Sequence, residues 1–426
     1  MSTVDRAVDP GPSSYWSRVS ELLRKPAFRW FWFGSSTQAV GQATQFLVIG
    51  WLVLEVTGSA TELGLVIFLY GVPNVIFLLV AGIVADRFDR RHVLMSTQTC
   101  VGLMIATLGL LALFDSVDIW HIYVAAVLLG IVQSLNMPAR MTMVSDIVEQ
   151  RSILDAVAMQ NAAVHAGRMV GPPVAGVVIE AWGIAASLFV IAGCYVVSMV
   201  CIGRIGRTNQ TARAVGQSVF KNFTDGVAYI RSNPVVLTAI VITCSFGGFG
   251  MSHQQVIPAM AKDVLGTGAA GAGLLFLASG IGSFLGNFLL PIIGSTRIYR
   301  MLLINLVLFS IFLSLFAWSS WFWMSWFLFL LVGLVGLGSV WPLATSLIQV
   351  ESPADMKGRV MGILQFTPGF HFLGAYPLAL IAGRFDWEVA ITAAAGATLL
   401  VTIWFGVLRS GAPDVNIQIC REPASN

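Results

Sequence analysis

Charge is what this chain has least of. Only 11% of its 426 residues are Asp, Glu, Lys or Arg, against 57% that are hydrophobic. A soluble chain so poor in charge could not cover its surface, so composition excludes an ordinary water-soluble domain. The five cysteines (Cys100, Cys194, Cys201, Cys244, Cys420) are scattered, four of them inside apolar segments. They suggest neither a disulfide framework nor a metal site. No GxxxxGK[ST] phosphate loop is present, which argues against direct use of ATP. A membrane enzyme would need a nucleophile with its base, or a metal cluster, and no His-rich, Cys-rich or paired-acid constellation supplies one. No catalytic residue, cofactor, metal or nucleic-acid partner is therefore expected. The polar segment before Ala27 is not followed by a cleavable apolar leader, so no signal peptide is read.

What is present is apolar sequence in long runs. Segments of about 20 residues, enough to cross a hydrocarbon core, recur along the whole chain. Twelve are read: 28–54, 60–85, 92–114, 118–139, 157–180, 183–205, 235–259, 269–292, 299–318, 321–347, 358–382 and 386–408. In lipid every backbone group must be bonded internally, so these are helices; a membrane β-barrel would show short alternating segments instead. With the N-terminus in the cytoplasm, 21 of the 24 Lys and Arg fall on the cytoplasmic side, Arg140 and Arg151 among them. Lys262 and Arg384 fall outside, and Arg168 falls within a span. This asymmetry predicts an even span count with both termini cytoplasmic. Trp120, Trp182, Trp318, Trp321, Trp323, Trp326 and Trp387 gather at the outer ends, and Trp30 and Trp32 at the inner.

The longest polar interruption runs from Thr208 to Pro234. Its second part carries Phe220, Phe223, Val227 and Ile230 at helical spacing, with Lys221 and Arg231 on the other face, the pattern of a helix lying on the inner leaflet. The expected organisation is a cytoplasmic segment (1–27), a six-helix bundle (28–205), a linker with an interfacial helix (206–234), a second six-helix bundle (235–408) and a tail (409–426). DIVEQRSILDAVAM and QVESPADMKGRVMGI, about 200 residues apart, echo each other across the halves. Paired bundles around a midplane site are a common plan among transporters.

Two motifs sharpen this. GIVADRFDRR follows the second apolar run: Gly82, three residues, Asp86-Arg87, two residues, then Arg90 and Arg91. It resembles the loop signature of the major facilitator superfamily. GRMVGPPVAG places Gly167, Gly171, Pro172 and Gly176 in the fifth span, with Ala175 replacing one glycine. It resembles that superfamily's antiporter motif. FGSSTQAVGQATQFLVIGWLVLEVTGSATELGLV, MPARMTMVSDIVEQRSILDAVAMQNAA and KGRVMGI narrow the resemblance to the branch holding enterobactin exporters and macrolide-efflux proteins, from about Phe28 to Leu408. The resemblance implies the major facilitator fold, an all-α integral membrane protein of twelve transmembrane helices in two six-helix bundles. It also implies a cytoplasmic latch in which Asp86 and the nearby arginines meet the start of span 11 near Arg359. The branch's usual intramembrane arginine, four residues before Gly130, is Ala126 here.

Charge inside a membrane is costly and marks candidate function. Asn161, His165 and Arg168 are spaced i, i+4, i+7 and share one face of span 5; Gln38, Gln42 and Gln45 repeat that spacing in span 1. In the superfamily these spans line the cavity. The second half offers Ser279, Ser283 and Asn287; His253, Gln254 and Gln255; and Gln365, Thr367 and His371. No carboxylate stands near the middle of any span: Glu55 and Glu180 lie toward the outer ends, Asp86 and Asp146 toward the cytoplasm. A proton would then be carried by a peripheral acid such as Asp86 or by one of the histidines. The expectation is a monomeric, proton-coupled exporter of a siderophore or drug-like molecule in a bacterial inner membrane, contacting lipid along its length. A lipid or lysolipid flippase is the alternative within the same class. From other classes the alternatives are a transport-dead membrane sensor, which would be expected to lose the loop latch or gain a long soluble domain, and the membrane enzyme weighed above.

Overall fold

The computed structural model of the chain describes residues 15–206, 219–293 and 298–409. These form helices, with no strand among the described residues. The first five spans follow the apolar runs: span 1 is Pro26–Thr57, span 2 Ala60–Arg87, span 3 Arg90–Leu113 and span 4 Ile119–Ile147, while span 5 begins at Ile153. Among the described residues ten helices are long and apolar enough to cross a membrane, judged by length and composition. The count becomes twelve on two grounds. Ile153–Gly203 is one 51-residue run broken at Gly183 (φ 82°), a left-handed conformation that only glycine adopts freely, so spans 5 and 6 meet there. Span 11 is cut into Ala354–Leu364, a short 3₁₀ turn at Thr367–Gly369, and Phe370–Arg384, so neither helical piece is long enough alone. Span 7 (Pro234–Val264), span 8 (Gly268–Ile293), span 9 (Ile298–Ala317), span 10 (Phe322–Glu351) and span 12 (Trp387–Ile403 with a π turn to Arg409) complete the set.

Local chemistry sets several of these ends. Pro26 opens span 1 and Pro234 opens span 7, where a missing N–H costs nothing. Asn233 caps span 7, its Oδ1 accepting from the N–H groups of Val235 and Val236 at 3.1 Å each. Asp118 and His121 form a capping box at the start of span 4. Span 4 runs eight residues beyond its expected end at 139. Arg140, counted as a loop residue from sequence, lies inside the helix and is buried.

Spans 1 to 6 form one bundle and 7 to 12 the other, joined through the helix Val219–Ser232. Small residues let backbones approach: Gly34 and Gly41 of span 1 lie against Cys201 and Cys194 of span 6, and Gly130 of span 4 against the Tyr70 backbone. Span 1 begins and span 12 ends on the same side as the linker helix. This side carries Arg90, Arg91, Arg204 and Arg359, and we call it the basic end; the opposite side is the far end.

Candidate functional site

Among the described residues the bundles meet chiefly along three helix pairs, and these contacts gather toward the far end. Spans 2 and 11 touch where Gly64 faces Ala379 and Gly71 faces Phe372. Spans 5 and 8 touch where Gly176 faces Ala269, Pro172 faces Gly273 and Met169 faces Gly280. Spans 1 and 7 touch where Gly50 faces Pro258. Around mid-depth an aromatic trio crosses the seam. Phe46 of span 1, Tyr70 of span 2 and Phe372 of span 11 stand with ring centroids 4.9 to 5.5 Å apart. Beneath it a cavity of about 30 Å³, lined by Gln45, Tyr70, Leu129 and Gln255, has room for a water but not for a substrate.

Toward the basic end the same helices part. On span 5 the stripe that touches span 8 continues through Arg168, His165, Asn161 and Leu154. Arg168, Asn161 and Leu154 are exposed and His165 is half-buried. On span 8 the matching positions beyond Gly280 are Phe284 and Phe288, 55% and 64% exposed. On span 11 the stripe through Ala379 and Phe372 continues to Gln365, which is exposed. The result is a cleft between the bundles, sealed at the far end and open at the basic end. Asn161, His165 and Arg168 share its span-5 wall, as their spacing predicts. None of the three makes a side-chain hydrogen bond or ion pair with another described residue.

Gln38, Gln42 and Gln45 behave differently: they form a ladder within the first bundle. Gln38 donates to Gln42 (3.4 Å), Gln42 donates to Gln133 of span 4 (2.7 Å), and Gln133 donates to Gln45 (3.2 Å). The Tyr195 hydroxyl of span 6 donates to the same Gln45 oxygen at 3.1 Å. Gln38 and Gln45 are buried and Gln42 half-buried, so only Gln42 has a side toward open space. The ladder continues toward the basic end on span 4. Asn136 bridges Thr97 (3.5 Å) and Arg140 (3.2 Å), and Arg140 also donates to Ser35 of span 1. Arg140 is 7% exposed, its Nη2 has no partner, and none of the described carboxylates pairs with it. Sequence reading missed Gln133, Asn136 and Arg140 as site residues, although their spacing of three and four in GIVQSLNMPAR carried the signal. Tyr195 gave no such signal.

In the second bundle His253 is buried among Phe309 and Phe329, with Nδ1 at 2.5 Å from the Gly250 carbonyl and Nε2 unpartnered. It sits in a stretch of span 7 where π and 3₁₀ turns replace regular helix, Phe246–Gly250 and Met251–Val256. His371 is half-buried beside Phe372, and its carbonyl accepts from Ser252 at 3.1 Å. Thr367 and Asn287 bond within their own helices, to Leu364 (2.7 Å) and Ser283 (3.1 Å).

The side chains of Gly82, Asp86 and Arg87 lie outside the described residues. Of the expected latch, Arg90 pairs with Asp146 and Arg91 donates to the Gly203 carbonyl, both within the first bundle. Arg359 pairs with Asp225 of the linker helix at 3.3 Å. The antiporter-motif positions are all packing positions. Gly167 and Gly171 admit the span 1 backbone at Ala39–Val40 and Thr44, while Pro172 and Gly176 meet span 8 of the other bundle.

The sequence profile of the Major Facilitator Superfamily matches residues 31–374, most of the chain, and the chain belongs to that family. Among its relatives is the multidrug efflux pump Tap of Mycolicibacterium fortuitum, 26% identical over 82% of this chain and 86% of that one. The Staphyloferrin A transporter of Staphylococcus aureus is 22% identical over 88% and 95%. Macrolide efflux protein A of Streptococcus pyogenes is 20% identical over 68% and 72%. Solved structures share the fold. The nucleoside transporter NupG superposes with a TM-score of 0.68 at 14% identity, covering 89% of this chain and 98% of that one. A bacterial homologue of the human lysosomal transporter Spinster, in an inward-facing and occupied conformation, gives 0.67 at 13% identity, covering 93% and 97%. The chain is a multi-pass membrane transporter, not an enzyme.

Proposed function

We propose that the chain exports a small organic molecule, siderophore-like or drug-like, by alternating access, driven by proton antiport. The observation that carries this reading is the cleft itself, closed at the far end and open at the basic end, with Asn161, His165 and Arg168 on its wall. The basic end is the cytoplasmic one by the distribution of Lys and Arg. The structure is then inward-open and positioned to load substrate from the cytoplasm of a bacterial cell, across its plasma membrane. Arg168 is a fixed positive charge in a cleft with no mid-span carboxylate, which favours an anionic group on the substrate. The efflux and siderophore roles named for the relatives agree with this direction and chemistry. The chain works as a monomer, with both termini cytoplasmic.

The test is uptake into inside-out membrane vesicles with an acid interior, comparing a catecholate siderophore with a cationic dye. Siderophore accumulation that a protonophore abolishes, and that Arg168→Ala reduces at least ten-fold, is the expected result. Dye accumulation indifferent to Arg168→Ala would overturn the anionic reading.

A further inference from the structure

The far end is where alternating access must open to release substrate, so whatever closes it sets how readily the outward state forms. Cations are scarce there: only two of the 24 Lys and Arg are assigned to that side. One of them, Lys262 of span 7, crosses the seam. Its Nζ donates to the carbonyl of Leu54 in span 1 at 2.8 Å. Leu54 lies in the last turn of that helix, and its oxygen also accepts from the capping Gly58 N–H. A helix C-terminus carries partial negative charge, and a lysine there complements it.

The reverse arrangement stands on the other flank. Glu180 of span 5, in the first bundle, accepts from the Ala270 N–H at 2.9 Å. Ala270 is in the first turn of span 8, in the second bundle, where partial charge is positive. Gly268 holds a left-handed φ of 68°, and a Cβ there would lie 2.5 Å from the Glu180 oxygen. The turn is thus shaped to admit that carboxylate.

We infer that Glu180 and Lys262 form a reciprocal latch on the far end, each bundle lending a charge to a helix terminus of the other, which holds the outward gate shut. The two contacts are opposite in sign and on different helix pairs, 5 with 8 and 1 with 7. Each exists only while its pair is closed. Removing either leaves the bundles intact, because neither residue packs a bundle interior: both side chains are exposed. The effect falls on the balance between states rather than on folding. This inference rests on the alternating-access reading above.

The test is sided cysteine labelling in lipid vesicles, in a chain whose five cysteines are replaced. Val66→Cys reports opening at the far end, since Val66 is 3% exposed beside Gln255 of the other bundle. Asn161→Cys reports opening at the basic end. Glu180→Ala and Lys262→Met are each expected to raise Val66→Cys labelling from the far side roughly three-fold, and together about ten-fold. Asn161→Cys labelling from the basic side falls in step. Glu180→Gln, which keeps an acceptor but loses the charge, gives a smaller shift. Unchanged rates overturn the latch. Rates rising at both faces signify loosened packing and overturn it too. Failure of the export reading shows separately, as absent substrate flux while labelling still shifts reciprocally.

Discussion

At the residue scale the first bundle holds an unusual charge. Arg140 is buried between spans 1, 3 and 4 with hydroxyl and amide partners only, and one of its nitrogens is unsatisfied. Burying a guanidinium without a carboxylate costs stability, and replacing a buried charge with an apolar side chain of similar volume is often neutral or stabilising. A residue kept at such cost is expected to serve transport. Arg140→Met should therefore leave the melting temperature of the purified protein unchanged or higher, while flux drops at least ten-fold. Arg140→Lys should not restore flux, because an ammonium cannot fork between Ser35 and Asn136. A parallel fall in melting temperature and flux would make Arg140 a structural brace. Hydropathy hid this residue from the sequence. A charge after an apolar run reads as the end of a span, and only the helix continuing to Ile147 shows otherwise. Arg168 was legible because it stands in the middle of its apolar run, with polar neighbours three and seven residues before it.

At the scale of elements, close backbone approach is the main joint between bundles. A Cβ on Gly176 would fall within 2.7 Å of Ala270 Cα, and one on Gly273 within 2.6 Å of the Pro172 carbonyl. Backbone cannot yield as a flexible side chain can, so the cost falls on the closed seam and amounts to about 1–3 kcal/mol. Gly176→Ala and Gly273→Ala are expected to cut transport several-fold or more by disfavouring far-end closure. Gly193→Ala, with nothing within 4 Å of the added methyl, should transport normally. Equal activity in all three would show that the seam tolerates the extra volume. The motif glycines and the twelve runs were readable because apolar length and small-residue spacing are properties of sequence. The breaks in spans 7 and 11 were not. Their π and 3₁₀ turns depend on what packs beside them, as where Gly247 meets the Thr367 backbone. The glutamine ladder was half legible: its span 1 rungs repeat every three or four residues, but Gln133 and Tyr195 join it only through tertiary packing.

For the whole molecule, the question is what the basic end looks like when the far end opens. The register of spans 5 and 8 answers it. Residues 176, 172 and 169 face 269, 273 and 280 in antiparallel order. Continued toward the basic end, that order brings 165 opposite 284 and 161 opposite 288. In the structure those faces are apart, with Phe288 64% exposed. Rocking the bundles about the aromatic trio would close them, placing the polar stripe of span 5 against two phenylalanines and withdrawing Arg168 from the basic end. A chain without native cysteines carrying Asn161→Cys and Phe288→Cys should form a disulfide slowly, only as that closed state is visited. Glu180→Ala should accelerate it, since the far-end latch opposes the same motion. The cross-linked protein should be unable to load substrate from the basic end, and a reductant should restore flux. Rapid cross-linking that leaves flux intact would mean that spans 5 and 8 do not part during transport.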